Sequence, residues 1–175
     1  EKRALFKSGT CLPERVQFKT DRMADFRDEV VYKSYDSNSN VCEIAAKDGT
    51  PVLFIWGYRN RYPIAKIENA TRQQVAVALG YDGNIEDVFG DWASLAVPTE
   101  ETWDKINSLR EKLPGNTRVT TYEYAPLQGV VSITDPNNVI TKFEYDNYSR
   151  LTDCYYLDAD TRKVMLQQYI YHFGK

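Results

Sequence analysis

Few residues in this chain have the types and spacing that chemistry requires. His172 is the only histidine, and it stands between Tyr171 and Phe173. No Gly-x-Ser-x-Gly elbow occurs and no cysteine sits in a nucleophile's context, so that imidazole reads as a surface or partly packed side chain rather than a base, and a hydrolase would need an acidic pair brought together by the fold. Cys11, Cys42 and Cys154 are odd in number and widely spaced. They allow one disulfide and a free thiol, and they favour three reduced, packed thiols. Without a Cys-x-x-Cys pair, a zinc site would have to gather every thiol and the one imidazole. The acids fare no better. A calcium loop begun at Asp82 would need glutamate at its twelfth position, where Ala93 stands. Asp158-x-Asp160 meets Arg162 at the next ligand position. Glu100 and Glu101 read as acids at the positive end of a helix. Tyr145-Asp146 would offer a carboxylate to a metal or a sugar, or else mark a strand end whose Asp accepts backbone N–H bonds as the chain turns. The second reading needs fewer assumptions. The expectation is a protein that is not an enzyme, with no metal and no cofactor.

The stretch "WGYRNRYP" is the best binding candidate. Trp56, Tyr58 and Tyr62 surround Arg59 and Arg61. Aromatic faces beside guanidinium groups hold sugars or acidic peptide segments. The competing reading is a strand–turn–strand whose aromatic rings simply cover the sheet.

These residues must be positioned by a folded domain. The chain has 175 residues, 42% hydrophobic and 27% charged, which suits one soluble domain with a real core. Its net charge of −3 and lack of a basic stripe argue against a nucleic-acid partner. The longest apolar runs, such as "VLFIW", are far too short to span a bilayer. The chain begins Glu-Lys-Arg with no initiator methionine and no leader, which reads as an excerpt or a mature segment.

Three zones follow. Residues 1–69 read as antiparallel hairpins, with strands in "RVQFKT", "EVVYKSYD", "NVCEIAAK", "VLFIWGY" and "YPIAKIEN", and a turn at Asp48-Gly49. Residues 70–115 change period and read as a helical insertion. Thr71 and Gln74 have capping-box spacing for a helix over 72–79, ended by Gly80. Ile85, Val88, Phe89, Trp92, Leu95 and Ala96 form a second helical face, capped by Asp82 or Asn84, with Gly90 weakening it by about 1 kcal/mol. Thr99 caps a third helix, whose stripe is Trp103, Ile106, Leu109 and Leu113 and whose end is Pro114-Gly115. Trp92 and Trp103 are expected to pack the helices onto one sheet face. Residues 116–175 return to antiparallel hairpins. The fold class is therefore mainly β with a small helical insertion, α+β.

The outer zones repeat. Tyr124 and Tyr145 are 21 residues apart, Tyr145 and Tyr169 are 24, and Tyr35 and Tyr58 are 23. Each interval holds two strands, and such a pair cannot bury a face alone. The text "DPNNVITKFEYDNYSRLTDCYYLDADTRKVMLQQYIY" resembles the YD repeats of Rhs-type proteins. Asp135-Pro136, Phe143, Tyr145-Asp146, Arg150-Leu151, Asp158 and Tyr169 fit that pattern, and Tyr35-Asp36 begins a similar copy. The longer stretch with "WGYRNRYPIAKIENAT" resembles YD-repeat regions of large Bacteroidetes surface or secreted proteins. The resemblance implies a non-catalytic scaffold of stacked hairpins at the cell surface or in secretion. It also implies a place in a shell for toxin delivery, with neighbouring repeats of a parent chain as partners. The alternative is a carbohydrate- or protein-binding module using the cluster around Trp56. The chain departs from the family at turn positions where glycine is usual: Ser39, Asn138, Ser149 and Thr161 stand there. Either those turns take another geometry or they carry strain.

Overall fold

The computed structural model describes residues 1–82, 85–158, 160 and 162–172. Asn84, Thr161 and Phe173 from the reading above lie outside the described residues. The elements run β1 (Lys2–Phe6), β2 (Pro13–Phe18), β3 (Arg27–Tyr35), β4 (Val41–Ala46), β5 (Pro51–Gly57) and β6 (Tyr62–Glu68). Then come α1 (Arg72–Ala78), α2 (Ile85–Ser94) and α3 (Glu100–Lys112). The chain finishes with β7 (Arg118–Ala125), β8 (Gly129–Thr134), β9 (Ile140–Tyr145), β10 (Leu151–Leu157) and β11 (Lys163–Gln168). All eleven strands form one sheet in strict sequence order, from β1 to β11. Every pairing is antiparallel. The mainly β architecture with three short helices is thus the one the periodicity indicates. The addition is β1, whose residues are all exposed. Nothing in "KRALF" alternates toward a core, so no burial pattern announces that strand.

The core sits in the middle of the sheet. Leu53 pairs with Ile67 and Ile55 with Ala65 across β5 and β6, and Ile67 pairs with Val119 across β6 and β7. These residues cluster with Val75 of α1, Trp92 of α2, and Ile106 and Leu109 of α3. Leu53, Ile55, Ile64, Ile67, Ile106 and Leu109 are at most 1% exposed. Each contributes about 1.5–3 kcal/mol by leaving water. Trp103 packs against the same cluster from a half-buried position. Away from it burial thins, and in β11 every residue but Val164 is exposed.

The helix starts follow their side chains. Thr71 and Gln74 form the reciprocal capping box of α1. Thr99 accepts the Thr102 N–H at 3.2 Å at the start of α3, with Glu100 and Glu101 in its first turn. Arg110, near the far end of α3, reaches the sheet. Its guanidinium donates to the carbonyls of Val119, Thr134 and Asp135 and to the Thr121 hydroxyl. One side chain therefore joins α3, β7 and the end of β8.

Candidate functional site

The aspartates of the repeat motif all do the same thing. At Asp146 the carboxylate Oδ1 accepts the Tyr148 N–H at 2.8 Å and the Arg150 N–H at 3.0 Å. The backbone closes around it: Asp146 N–H donates to the Arg150 carbonyl and Ser149 N–H to the Asp146 carbonyl, both at 2.9 Å. Asp36 repeats this with the amides of Asn38 and Asn40, and Asp135 with those of Asn137 and Val139. Asp158 takes the amides of Asp160 and Arg162. At Asp36, Asp135 and Asp146 this is a three-residue hairpin loop, a tight turn followed by a residue in the left-handed region. That residue is Ser39 (φ 68°), Asn138 (φ 63°) or Ser149 (φ 59°). The geometry is kept without glycine, so the strain is real. Asn tolerates the left-handed region through its short side chain, and Ser does so less well. Ser149→Gly and Ser39→Gly should each raise the unfolding free energy by about 0.5–1 kcal/mol in urea titration, and Asn138→Gly by less.

Arg150 closes the Asp146 turn further. Its Nε donates to Asp146 Oδ2 at 2.8 Å, and its guanidinium carbon lies 4.2 Å from the Tyr171 ring centroid. Partial desolvation pushes the Asp146 carboxyl upward, but the bonds from the Arg150 side chain and the two amides outweigh it and hold the group below its usual range. A depressed folded-state value stabilises above the unfolded value of about 3.9 and is lost as pH falls through the folded value. The urea midpoint should therefore be flat near neutrality and drop below about pH 4, with a smaller drop in Asp146→Asn.

The aromatic strand ends act as latches. Tyr35 donates its hydroxyl to the Pro13 carbonyl at 2.5 Å, and Tyr145 donates to Val130 at 2.7 Å. Tyr171 donates to the Leu151 carbonyl at 2.9 Å, while the Tyr169 hydroxyl bonds the Gln167 side chain at 3.0 Å. Trp56 does the same through its indole N–H, 2.9 Å from the Val41 carbonyl. Tyr35, Tyr145 and Trp56 fasten the end of one strand to the start of its predecessor, and Tyr171, just past β11, is fastened to the start of β10. Between β6 and β7 the link is a stack, with the rings of Tyr62 and Tyr124 4.6 Å apart. Trp56 and Tyr171 in this role are invisible to a search for Tyr-Asp pairs. The signal is an aromatic residue at the strand end, whatever follows it.

Other motif residues lie around these turns. Pro136 is the first loop residue after Asp135, Phe143 pairs with Cys154, and Leu151 pairs with Tyr145 across β9 and β10.

The cluster around Trp56 is divided. Trp56 lines a cavity of about 410 Å³ with Tyr35, Asn38, Phe54, Asn60 and Phe89. Tyr58, Arg59, Arg61 and Tyr62 line a second one of about 330 Å³. Tyr58 is buried, edge-on to Tyr62 and Tyr124, and its hydroxyl accepts the Tyr124 N–H at 3.0 Å. Burial, with smaller contributions from neighbouring phenols, pushes Tyr124 up to about 12. Arg59 and Arg61 are exposed, and His172 is exposed. Among the described residues, no three acids, thiols or imidazoles gather as a metal would require. No described helix is long and apolar enough to cross a membrane.

No protein-family model matches the chain, and no curated protein matches it. Solved structures of toxin complexes align with it weakly. The crystal structure of TcdB2-TccC3-Cdc42 aligns over 94% of this chain at 9% identity and a TM-score of 0.49. TcdB2-TccC3 without its hypervariable C-terminal region gives the same values. The Photorhabdus luminescens Tc holotoxin pore bearing a TccC3 mutation aligns over 97% at 10% identity and a TM-score of 0.47. The chain spans 7% of the length of each of these.

Proposed function

We propose that this chain is a non-catalytic scaffold segment of YD-repeat type, a strip of hairpins from a larger surface or secreted protein that walls a shell for toxin delivery. One observation carries the reading: the same closed turn recurs at Asp36, Asp135 and Asp146, and Asp158 takes the corresponding pair of backbone amides. A carboxylate oxygen occupied by two backbone amides is spent on shape. Residues 1–69 and 116–175 supply the hairpins. Residues 70–115 act as a lid over the sheet face that carries Leu53, Ile55, Ile67 and Val119.

Strands β1 and β11 have one paired side each, and their open sides are where neighbouring repeats of the parent chain would add. Hydrogen exchange tests this on the segment alone and within the full-length gene product. The β1 and β11 amides facing outward should exchange freely in the segment and become protected in the longer chain. Equal exchange in both would sink the reading.

A binding module is the second reading, favoured by the Trp56 ring on the 410 Å³ cavity. A glycan array separates the two readings: saccharide binding that Trp56→Ala abolishes and Trp56→Phe retains would support the module.

A further inference from the structure

The turn joining β5 and β6 is built against conformational preference. Tyr58, Arg59 and Asn60 have φ of 52°, 57° and 61°, one residue after another. Each left-handed residue other than glycine costs about 1–2 kcal/mol. A two-residue Asn-Gly turn would join the same strands with little strain. Here no glycine occupies positions 58–60, and the turn is instead bolted in place. Arg59 N–H donates to Leu95 at 2.8 Å, Asn60 N–H to Ala93 at 2.9 Å, and Arg61 N–H to Gly57 at 3.1 Å. The Asn40 amide donates to the Asn60 carbonyl at 3.0 Å, and the Tyr58 ring is sunk in the core at 5% exposure. Strain held this firmly is a feature of sites that must present side chains in one arrangement.

What the turn presents is two arginines. Arg59 and Arg61 both line the 330 Å³ cavity, whose other walls include Tyr62, Val97 and Leu127. Val97 is 57% exposed and Leu127, itself at φ 68°, is 88% exposed. Among the described residues neither guanidinium has an ion pair or a side-chain hydrogen bond. Arg15, Arg72 and Arg150, by contrast, each hold a carboxylate. Two unpaired cations beside an apolar cleft are complementary to an acid attached to an apolar group. Guanidinium groups bind carboxylates through paired, directional hydrogen bonds, and a fixed backbone lowers the ordering cost.

We infer that the left-handed turn Tyr58–Asn60 displays Arg59 and Arg61 as a docking site for an acidic peptide segment. One apolar side chain of that segment would enter the cleft beside Val97 and Leu127. The inference goes beyond the scaffold reading and does not depend on it, since it involves neither sheet edge.

The test is a titration of the ¹⁵N-labelled chain, followed by NMR to millimolar concentration, with acetyl-Glu-Leu-Glu-amide and its neutral isostere acetyl-Gln-Leu-Gln-amide. The acidic peptide should shift the amides of Arg59, Arg61, Val97 and Leu127 and bind about tenfold more tightly than the isostere. Arg59→Gln with Arg61→Gln should erase that difference without changing Tm, because both side chains are exposed. Equal binding of the two peptides, no shift from either, or an acidic preference that survives the double substitution would each overturn the inference.

Discussion

Replacing Arg110 by alanine should lower the unfolding free energy by about 3 kcal/mol, a large loss for a residue outside the apolar core. The guanidinium serves four acceptors on β7, the end of β8 and the residue after it: the carbonyls of Val119, Thr134 and Asp135, and the Thr121 hydroxyl. Truncation leaves these groups short of a donor where water has limited access, and bonds from a charged donor are worth about 1.5–3 kcal/mol each without being additive. Burial pulls the Arg110 pKa down and Asp135 opposes it, yet arginine remains cationic at neutral pH. Arg110→Lys should recover less than half of the loss, because a compact ammonium cannot span acceptors laid out for a planar fork. Urea unfolding of the three proteins checks this. An Arg110→Lys variant as stable as the parent would show that charge alone, rather than the fork, holds α3 to the sheet.

Gly129→Ala should cost a similar amount, about 3 kcal/mol, by two separable routes. Gly129 has φ +147°, a conformation that L side chains rarely adopt. A Cβ there would also lie 2.6 Å from the Tyr145 hydroxyl oxygen and 3.1 Å from the ring carbon bearing it. The latch from Tyr145 to the Val130 carbonyl would have to open. A double-mutant cycle with Tyr145→Phe separates the routes. Removing the hydroxyl relieves the tightest contact and forfeits the latch beforehand, so the two changes together should cost about 1 kcal/mol less than their sum. Strict additivity would mean that backbone strain accounts for the whole effect.

Much of the fold was legible because its signals are local. Apolar patterning marked β2 to β6 and the return to hairpins after residue 116, and Thr71–Gln74 and Thr99 marked two helix starts with the hydrogen bonds they make. β1 was not legible, since a strand exposed along its whole length has no apolar face to alternate. The turns were half legible. Asp at the strand end points to backbone capping, but Ser149 and Ser39 argue against the left-handed geometry that the structure retains. The Trp56–Tyr62 segment was readable as a group of residue types, not as an arrangement. Left-handed backbone at three successive positions depends on bonds to Ala93 and Leu95, from a helical region more than thirty residues away in sequence. No local preference encodes that, and it is what sends Trp56 to one cavity and the two arginines to another.

The strict sequence order of the eleven strands has a consequence for how the chain reaches its structure. Contact order is low for so large a sheet, because nearly every strand meets a partner one short loop away. The exception is the junction of β6 and β7, where a loop must close across all three helices and where the buried cluster lies. Closing that loop is the entropically expensive step, and the core is its reward. This topology predicts nucleation at the centre followed by strand-by-strand zipping toward both ends, which φ-values high in β5–β7 and low in β1 and β11 would check. Growth of this kind has no intrinsic stopping point, since each added hairpin leaves behind an edge like the one it covered.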